Sequence, residues 1–118
     1  MNNNRMHGYM DNIEFIVSDI ERSKAFYNAA FNWKYTEYGS TYCEFSDGRL
    51  CGGFTTTGKV NSSGGPLVII YTEELEVTQK KLEGIGAVIV KPIFSFPGGR
   101  RFHFIDPDGY QLAVWSDL

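Results

Sequence analysis

The stretch FHFIDPDGYQLAVW, residues 102–115, reads as two strands joined by a tight acidic turn. Asp-Pro-Asp-Gly is a good turn sequence in any protein, because proline presets φ and glycine accepts a positive φ. Taken alone, the stretch predicts a β-hairpin and says nothing about function. Its meaning depends on the segments that precede it.

Working outward, a strand, a helix and a second strand precede this hairpin. The strand PLVIIY, residues 66–71, runs into a helical pattern over residues 72–86, with Thr72 as the expected cap and Gly84 and Gly86 as terminators. The strand AVIVKP, residues 87–92, then leads to the hairpin. The second half of the chain is therefore predicted as β-α-β-β-β.

The first half has the same order. The alternating strand MDNIEFIV is followed by SDIERSKAFYNAAF, where Ser18 and Glu21 have capping-box spacing and Asn32 is the expected left-handed end. Three short strands follow, the last two joined at Asp47-Gly48. The predicted organisation is a tail (1–8) and a single domain (9–118) made of module one (9–55), a polar linker (56–65) and module two (66–117).

Composition narrows the class of protein. A chain of 118 residues with 42% hydrophobic residues suits one domain with a substantial core. The net charge is -3 and the Lys and Arg residues are scattered, so no nucleic-acid partner is expected. Neither a secretion signal nor a membrane-length apolar run is apparent, which predicts a cytoplasmic protein without a membrane partner. Cys43 and Cys51 are expected to be buried thiols.

The repeat, together with VSDIERSKAFY (17–27) and FIDPDGYQL (104–112), resembles the vicinal oxygen chelate superfamily over residues 9–117. That superfamily includes glyoxalase I, extradiol dioxygenases, fosfomycin-resistance enzymes and bleomycin-binding proteins. The resemblance implies an α+β fold in which two β-α-β-β-β modules form an open, curled half-barrel with the helices outside and a ligand cavity inside. It also implies a homodimer.

The resemblance further locates the points at which metal-using members place His, Gln or Glu ligands. Asp19 and Glu74 stand at the openings of the two helices, and counting seven residues back from them gives Asn12 and Leu67. Counting seven residues on from Asp106, the first Asp of the acidic turn, gives Ala113. Gly52 is the expected counterpart of Ala113 in module one, although a one-residue slip would swap faces. Leu, Ala and Gly have no donor atom for a metal, and Asn is a poor lone ligand. No metal and no cofactor are therefore expected.

Strand alternation then assigns faces, taking Asn12, Leu67 and Ala113 as facing the cavity. The helix-facing positions are all apolar, as a buried sheet–helix layer requires; they are Ile13, Phe15, Val17, Val68, Ile70, Leu112 and Val114. Glu44 and Phe54 are expected to face the cavity. The predicted ligand-binding residues are Asn12, Glu14, Tyr42, Tyr71, Arg101, His103, Gln111 and Trp115.

Each of these residues also has a structural interpretation. Glu14 suits an ion pair with Arg101 or His103 as well as a ligand contact. Glu14, Glu44 and His103 are weak catalytic candidates for proton transfer, and a hydrogen-bonded core histidine fits His103 equally. The segment SFPGGRR, residues 95–101, is either an anion-binding lid loop or a flexible connection.

Three functions fit these expectations. The first is a metal-free protein of the bleomycin-resistance type that binds a small aromatic or anionic molecule in a cavity of mostly apolar residues. The second is a lyase or isomerase of the glyoxalase type, or another enzyme of the superfamily, with an atypical active site. The third is a dimeric regulatory module that senses a ligand. Whether the protein is an enzyme stays open.

Overall fold

A computed structural model describes residues 5–118, which form two compact units, one ending at Val60 and the other running from Asn61 to Leu118. The first unit contains β1 (Asn12–Ile16), α1 (Ile20–Phe31), β2 (Lys34–Glu37), β3 (Tyr42–Ser46) and β4 (Cys51–Thr55). The second contains β5 (Val68–Tyr71), α2 (Leu75–Gly84), β6 (Val88–Phe96), β7 (Gly99–Ile105) and β8 (Gln111–Ser116). The predicted tail, residues 1–8, lies partly outside the described residues.

Each unit builds one four-stranded sheet with the same topology. The strand orders are β1-β4-β3-β2 and β5-β8-β7-β6, and neither sheet closes on itself. The first strand of each unit pairs in parallel with the last, while the hairpin strands pair antiparallel. The predicted α+β fold with a repeated β-α-β-β-β order is therefore confirmed. No helix within residues 5–118 has the length and hydrophobicity needed to cross a bilayer.

The core of the first unit is an aromatic cluster between the sheet and α1. Tyr27 of α1 is fully buried and stacks on Trp33 with 4.6 Å between ring centroids. Trp33 in turn stacks on Phe45 of β3 at 4.5 Å, and Phe54 of β4 lies 5.6 Å from Tyr27. Rings of this size contribute most of the buried apolar area of a small domain. They fix which face of this sheet is turned toward α1.

The structure matches the prediction for α1 at its C-terminal end only. Asn32 ends the helix with φ 58°, which confirms the left-handed stop. At the other end the cap is Asp19, whose carboxylate accepts a hydrogen bond from the Arg22 N–H at 3.1 Å. The predicted capping box is wrong in its first residue because the cap is Asp19; the Ser18 hydroxyl accepts a hydrogen bond from the Arg22 guanidinium at 2.6 Å.

In the second unit, α2 packs on β6, β7 and β8. The buried layer consists of Leu75 and Leu82 from the helix and Phe102, Phe104, Leu112 and Val114 from the sheet. The predicted cap Thr72 lies before the helix, which begins at Leu75; its hydroxyl accepts from the Glu74 N–H at 3.1 Å. The helix start was therefore predicted too early.

Acidic residues close a hairpin in both units. Asp47 accepts hydrogen bonds from the backbone N–H groups of Arg49 and Leu50 at 2.8 and 2.6 Å, which confirms the turn predicted at Asp47-Gly48. Asp106 is buried and accepts from the N–H groups of Asp108 and Tyr110 at 2.9 and 3.0 Å. Both carboxylates serve their own turns as backbone acceptors.

The predicted lid over residues 95–101 is wrong. Strand β6 continues to Phe96 and β7 begins at Gly99, so only Pro97 and Gly98 form the turn. Ser95 pairs with Arg100 and Phe96 pairs with Gly99 in the ladder. The segment is a tight hairpin, not a loop free to close over a ligand.

Candidate ligand-binding site

The second sheet turns one face toward α2 and leaves the opposite face, which we call the ligand face, lined by aromatic and basic side chains. Two rows of cross-strand neighbours define it. One row contains Tyr71, Trp115, Arg101 and Phe94, and the next contains Ile69, Ala113, His103 and Lys91. Because side chains alternate along a strand, these residues point away from the buried Phe102, Phe104, Leu112 and Val114.

The ligand face carries several exposed apolar side chains. Ile69 is 46% exposed, Tyr71 47% and Phe94 36%. The Trp115 ring makes an edge contact with Tyr71 at 5.3 Å between centroids and lies 6.2 Å from Phe96. Contiguous exposed apolar residues of this kind mark binding surfaces for ligands or partners.

Arg101 lies among the rings of this face. Its guanidinium carbon is 5.5 Å from the centroid of Phe94 and 5.6 Å from that of Phe96, within the range of cation–π attraction. The Nε atom of Arg101 is buried and has no hydrogen-bond partner among the described residues. The guanidinium therefore contacts these two rings and donates no hydrogen bond to any residue within 5–118.

His103 is the most deeply buried polar side chain of the ligand face, at 3% exposure. The amide nitrogen of Gln111 lies 2.8 Å from His103 Nδ1. An amide nitrogen only donates, so Nδ1 accepts and the proton of the neutral ring is on Nε2. Nε2 is buried without a hydrogen-bond partner among the described residues.

The charge state of His103 follows from its surroundings. Burial, followed by the positive charges of Arg101 and Lys91, lowers the pKa of His103 below its ordinary value. The ring is therefore neutral at physiological pH and offers a hydrogen-bond donor at Nε2. In this state His103 can bind an acceptor but is not arranged as a general base at that atom.

The first sheet also has a face turned away from its helix, and this face carries four of the predicted residues. Glu14 and Glu44 both lie opposite Gly53 in the ladder, and the Tyr42 hydroxyl donates a hydrogen bond to Glu14 at 3.0 Å. Burial, and then the hydrogen bond to Glu14, raise the pKa of Tyr42 to about 12. Asn12 is exposed at the start of β1. This face presents carboxylates and a neutral phenol.

Two predicted positions in the first unit are wrong. A Cβ on Gly52 would point at the Phe45 ring of the core, whereas one on Gly53 would meet the Tyr42 hydroxyl. Gly53, not Gly52, is therefore the counterpart of Ala113. Phe54 was expected to face the cavity, but it is fully buried against Tyr27 of α1.

The sequence did not identify three members of the ligand face: Lys91, Phe94 and Phe96. Strand β6 was expected to stop at Pro92, but it extends to Phe96 with register shifts between Ile89 and Lys91 and between Lys91 and Phe94. The spacing of Phe94 and Phe96 is a strand pattern that would have extended the prediction. The bulges themselves leave no clear mark in the sequence.

The residues at the superfamily's metal positions do not fit a divalent ion. Gly53, Leu67 and Ala113 have no donor atom, and Asn12 offers only an amide. Within residues 5–118, no three His, Cys, Asp or Glu side chains lie close enough together to hold a metal.

Comparison with known families is consistent with this fold. The model of the Glyoxalase/Bleomycin resistance protein/Dioxygenase superfamily matches residues 9–114, so the chain belongs to that superfamily. This confirms the resemblance to the vicinal oxygen chelate proteins. No curated protein matches the sequence.

Solved structures share the fold at low sequence identity. The fosfomycin resistance protein FosX from Listeria monocytogenes has a TM-score of 0.82 at 18% identity, covering 94% of each chain. TioX from Micromonospora sp. ML1 has a TM-score of 0.75 at 20% identity, covering 94% of this chain and all (100%) of its own. A glyoxalase-related enzyme from Fulvimarina pelagi has a TM-score of 0.77 at 17% identity, covering 92% and 88%. At these identities the likeness shows the fold alone.

Proposed function

We propose that this protein binds a small aromatic or anionic molecule on the ligand face of its second sheet, without a metal ion. The observation that carries the proposal is His103 Nε2, a buried donor with no partner among residues 5–118, on the same face as an arginine whose guanidinium lies near two phenylalanine rings. A buried donor without a partner costs about 1–3 kcal/mol, which a ligand acceptor would offset. Aromatic walls with a few convergent polar groups are the usual make-up of a small-molecule site.

The metal-free part of the proposal rests on donor chemistry. Three of the four family positions carry Gly, Leu or Ala, so a ligand bound here must be held by hydrogen bonds and ring contacts. Arg101, His103 and Trp115 supply those contacts on one face. A protein of the bleomycin-resistance type, which only sequesters its ligand, needs no more than this. The proposal also keeps the expected homodimer and cytoplasmic location.

An enzyme is the second candidate, and one observation favours it. Glu14 and Glu44 lie in register on either side of Gly53, with Tyr42 donating to Glu14, so this face has carboxylates able to accept a proton. Such an enzyme would be a lyase or isomerase of the glyoxalase type working without the usual metal ligands. Turnover that is lost in Glu14→Gln would favour this candidate over simple binding.

A thermal-shift experiment tests binding. An aromatic probe such as 2-naphthoate at millimolar concentration is expected to raise Tm by several degrees in the wild type, because a ligand bound only by the folded state stabilises it. Trp115→Ala is expected to lose most of this shift. Tyr9→Ala is the control, since Tyr9 is an exposed aromatic residue outside both sheets. Equal shifts in all three proteins would contradict the proposed site.

A further inference from the structure

We infer that the ligand is both aromatic and anionic: a flat ring bearing an oxyanion, with the charged group bound by Arg101 and His103 and the ring packed against Phe94, Phe96 and Trp115. This inference rests on the proposed function and narrows it from a choice between two ligand classes to one class that has both features.

Two side chains of the ligand face, Arg101 and His103, carry N–H donors that have no acceptor among residues 5–118. Arg101 has five N–H groups and no hydrogen bond or ion pair with any residue within 5–118. His103 presents an N–H at Nε2, since Gln111 donates to Nδ1. Both groups lie on the same face of β7, two residues apart. A ligand that satisfies both must supply acceptor atoms.

The charges of this face favour an anion over a neutral acceptor. Lys91 lies opposite His103 in the ladder, and neither Lys91 nor Arg101 makes an ion pair with a described residue. The Asp117 carboxylate accepts from the Tyr71 hydroxyl at 2.7 Å instead. Two cations with no carboxylate partner attract an oxyanion, and a planar carboxylate matches the guanidinium fork. A cationic ligand would be repelled.

The rings around Arg101 favour a ligand with an aromatic ring. Phe94 and Phe96 already lie within cation–π range of the guanidinium, and Trp115 lies opposite Arg101 in the ladder. A ring attached to the oxyanion would contact these rings by offset or edge packing. An aliphatic acid of similar size would keep the charge contact and lose the ring contacts.

Calorimetric titration of the whole protein separates these contributions. We expect 2-naphthoate to bind at least tenfold more tightly than 2-naphthamide, which has the same ring without the charge, and more tightly than cyclohexanecarboxylate. Equal affinity for the acid and the amide would overturn the inference.

Two neighbouring arginines give a matched pair of variants. Arg101→Gln is expected to reduce the preference for the acid over the amide to less than threefold. Arg100→Gln removes the same charge one residue away, but Arg100 pairs with Glu76 on the α2 side, so the tenfold preference should stay. If Arg101→Gln does not fold, Arg101→Lys keeps the charge without the fork and should show a reduced preference.

Failure of this inference can be distinguished from failure of the proposed function. An undiminished preference in Arg101→Gln contradicts the inference while leaving the proposed function in place. Binding of neither naphthyl compound by the wild type contradicts the proposed function, and this inference with it.

Discussion

Replacing Gly52 with alanine is expected to lower the free energy of unfolding by about 3 kcal/mol, because the new methyl group has no room. A Cβ at this position would lie 2.1 Å from a carbon of the Phe45 ring and 2.5 Å from the backbone oxygen of Ile13. Phe45 is stacked on Trp33, and Ile13 pairs with Gly52 in the sheet, so neither neighbour can move without disturbing the core. Urea unfolding followed by circular dichroism measures the loss.

Gly53→Ala is the matched control for this prediction. The three atoms nearest to its Cβ would all belong to the outer part of the Tyr42 side chain, which is half-buried and can swing away at the cost of its hydrogen bond to Glu14. A loss of about 1 kcal/mol is expected, the usual net worth of one hydrogen bond. If the two alanine variants were equally stable, the assignment of Gly52 to the core and Gly53 to the opposite face would be wrong.

Asp106→Ala is the second substitution with a large expected effect, again about 3 kcal/mol of unfolding free energy. The Asp106 carboxylate is buried and accepts from the backbone N–H groups of Asp108 and Tyr110. Alanine would leave two part-buried backbone donors without that acceptor, and a buried donor left without a partner costs about 1–3 kcal/mol. The measurement is again urea unfolding.

Asp106→Asn tests whether the turn requires the negative charge of Asp106 or only its accepting oxygen. Both hydrogen bonds go to the same oxygen, Oδ1, which an asparagine amide also provides. The asparagine variant should therefore retain most of the stability that the alanine variant loses. An asparagine variant as unstable as the alanine variant would show that the negative charge, and not the accepting oxygen, is what the turn requires.

The repeat was predictable because strand and helix periods and turn residues are local properties. The positions of Ala113 and His103 followed by counting from the acidic turn, since the register of a strand next to a tight turn is fixed by the turn. Gly52 was misplaced because the first hairpin loop, residues 47–50, is one residue shorter than the second, residues 106–110. A single residue is enough to exchange the two faces of a strand.

The chemistry of the ligand face was only partly predictable. Sequence could place Arg101 and His103 on one face but not the rings beside them, because β6 bends through two register shifts before Phe94. The donor state of His103 depends on the 2.8 Å contact with Gln111, which results from packing. Such contacts depend on side-chain geometry, which neither spacing nor composition encodes.

The central claim, ligand binding without a metal, is tested most directly by titrating 2-naphthoate into protein treated with EDTA and exchanged into metal-free buffer. The account predicts a saturable heat signal whose Kd changes by less than twofold when Mn, Zn, Ni or Fe is added back. Binding that appears only after one of these metals is restored, with about one equivalent retained per chain, would contradict it.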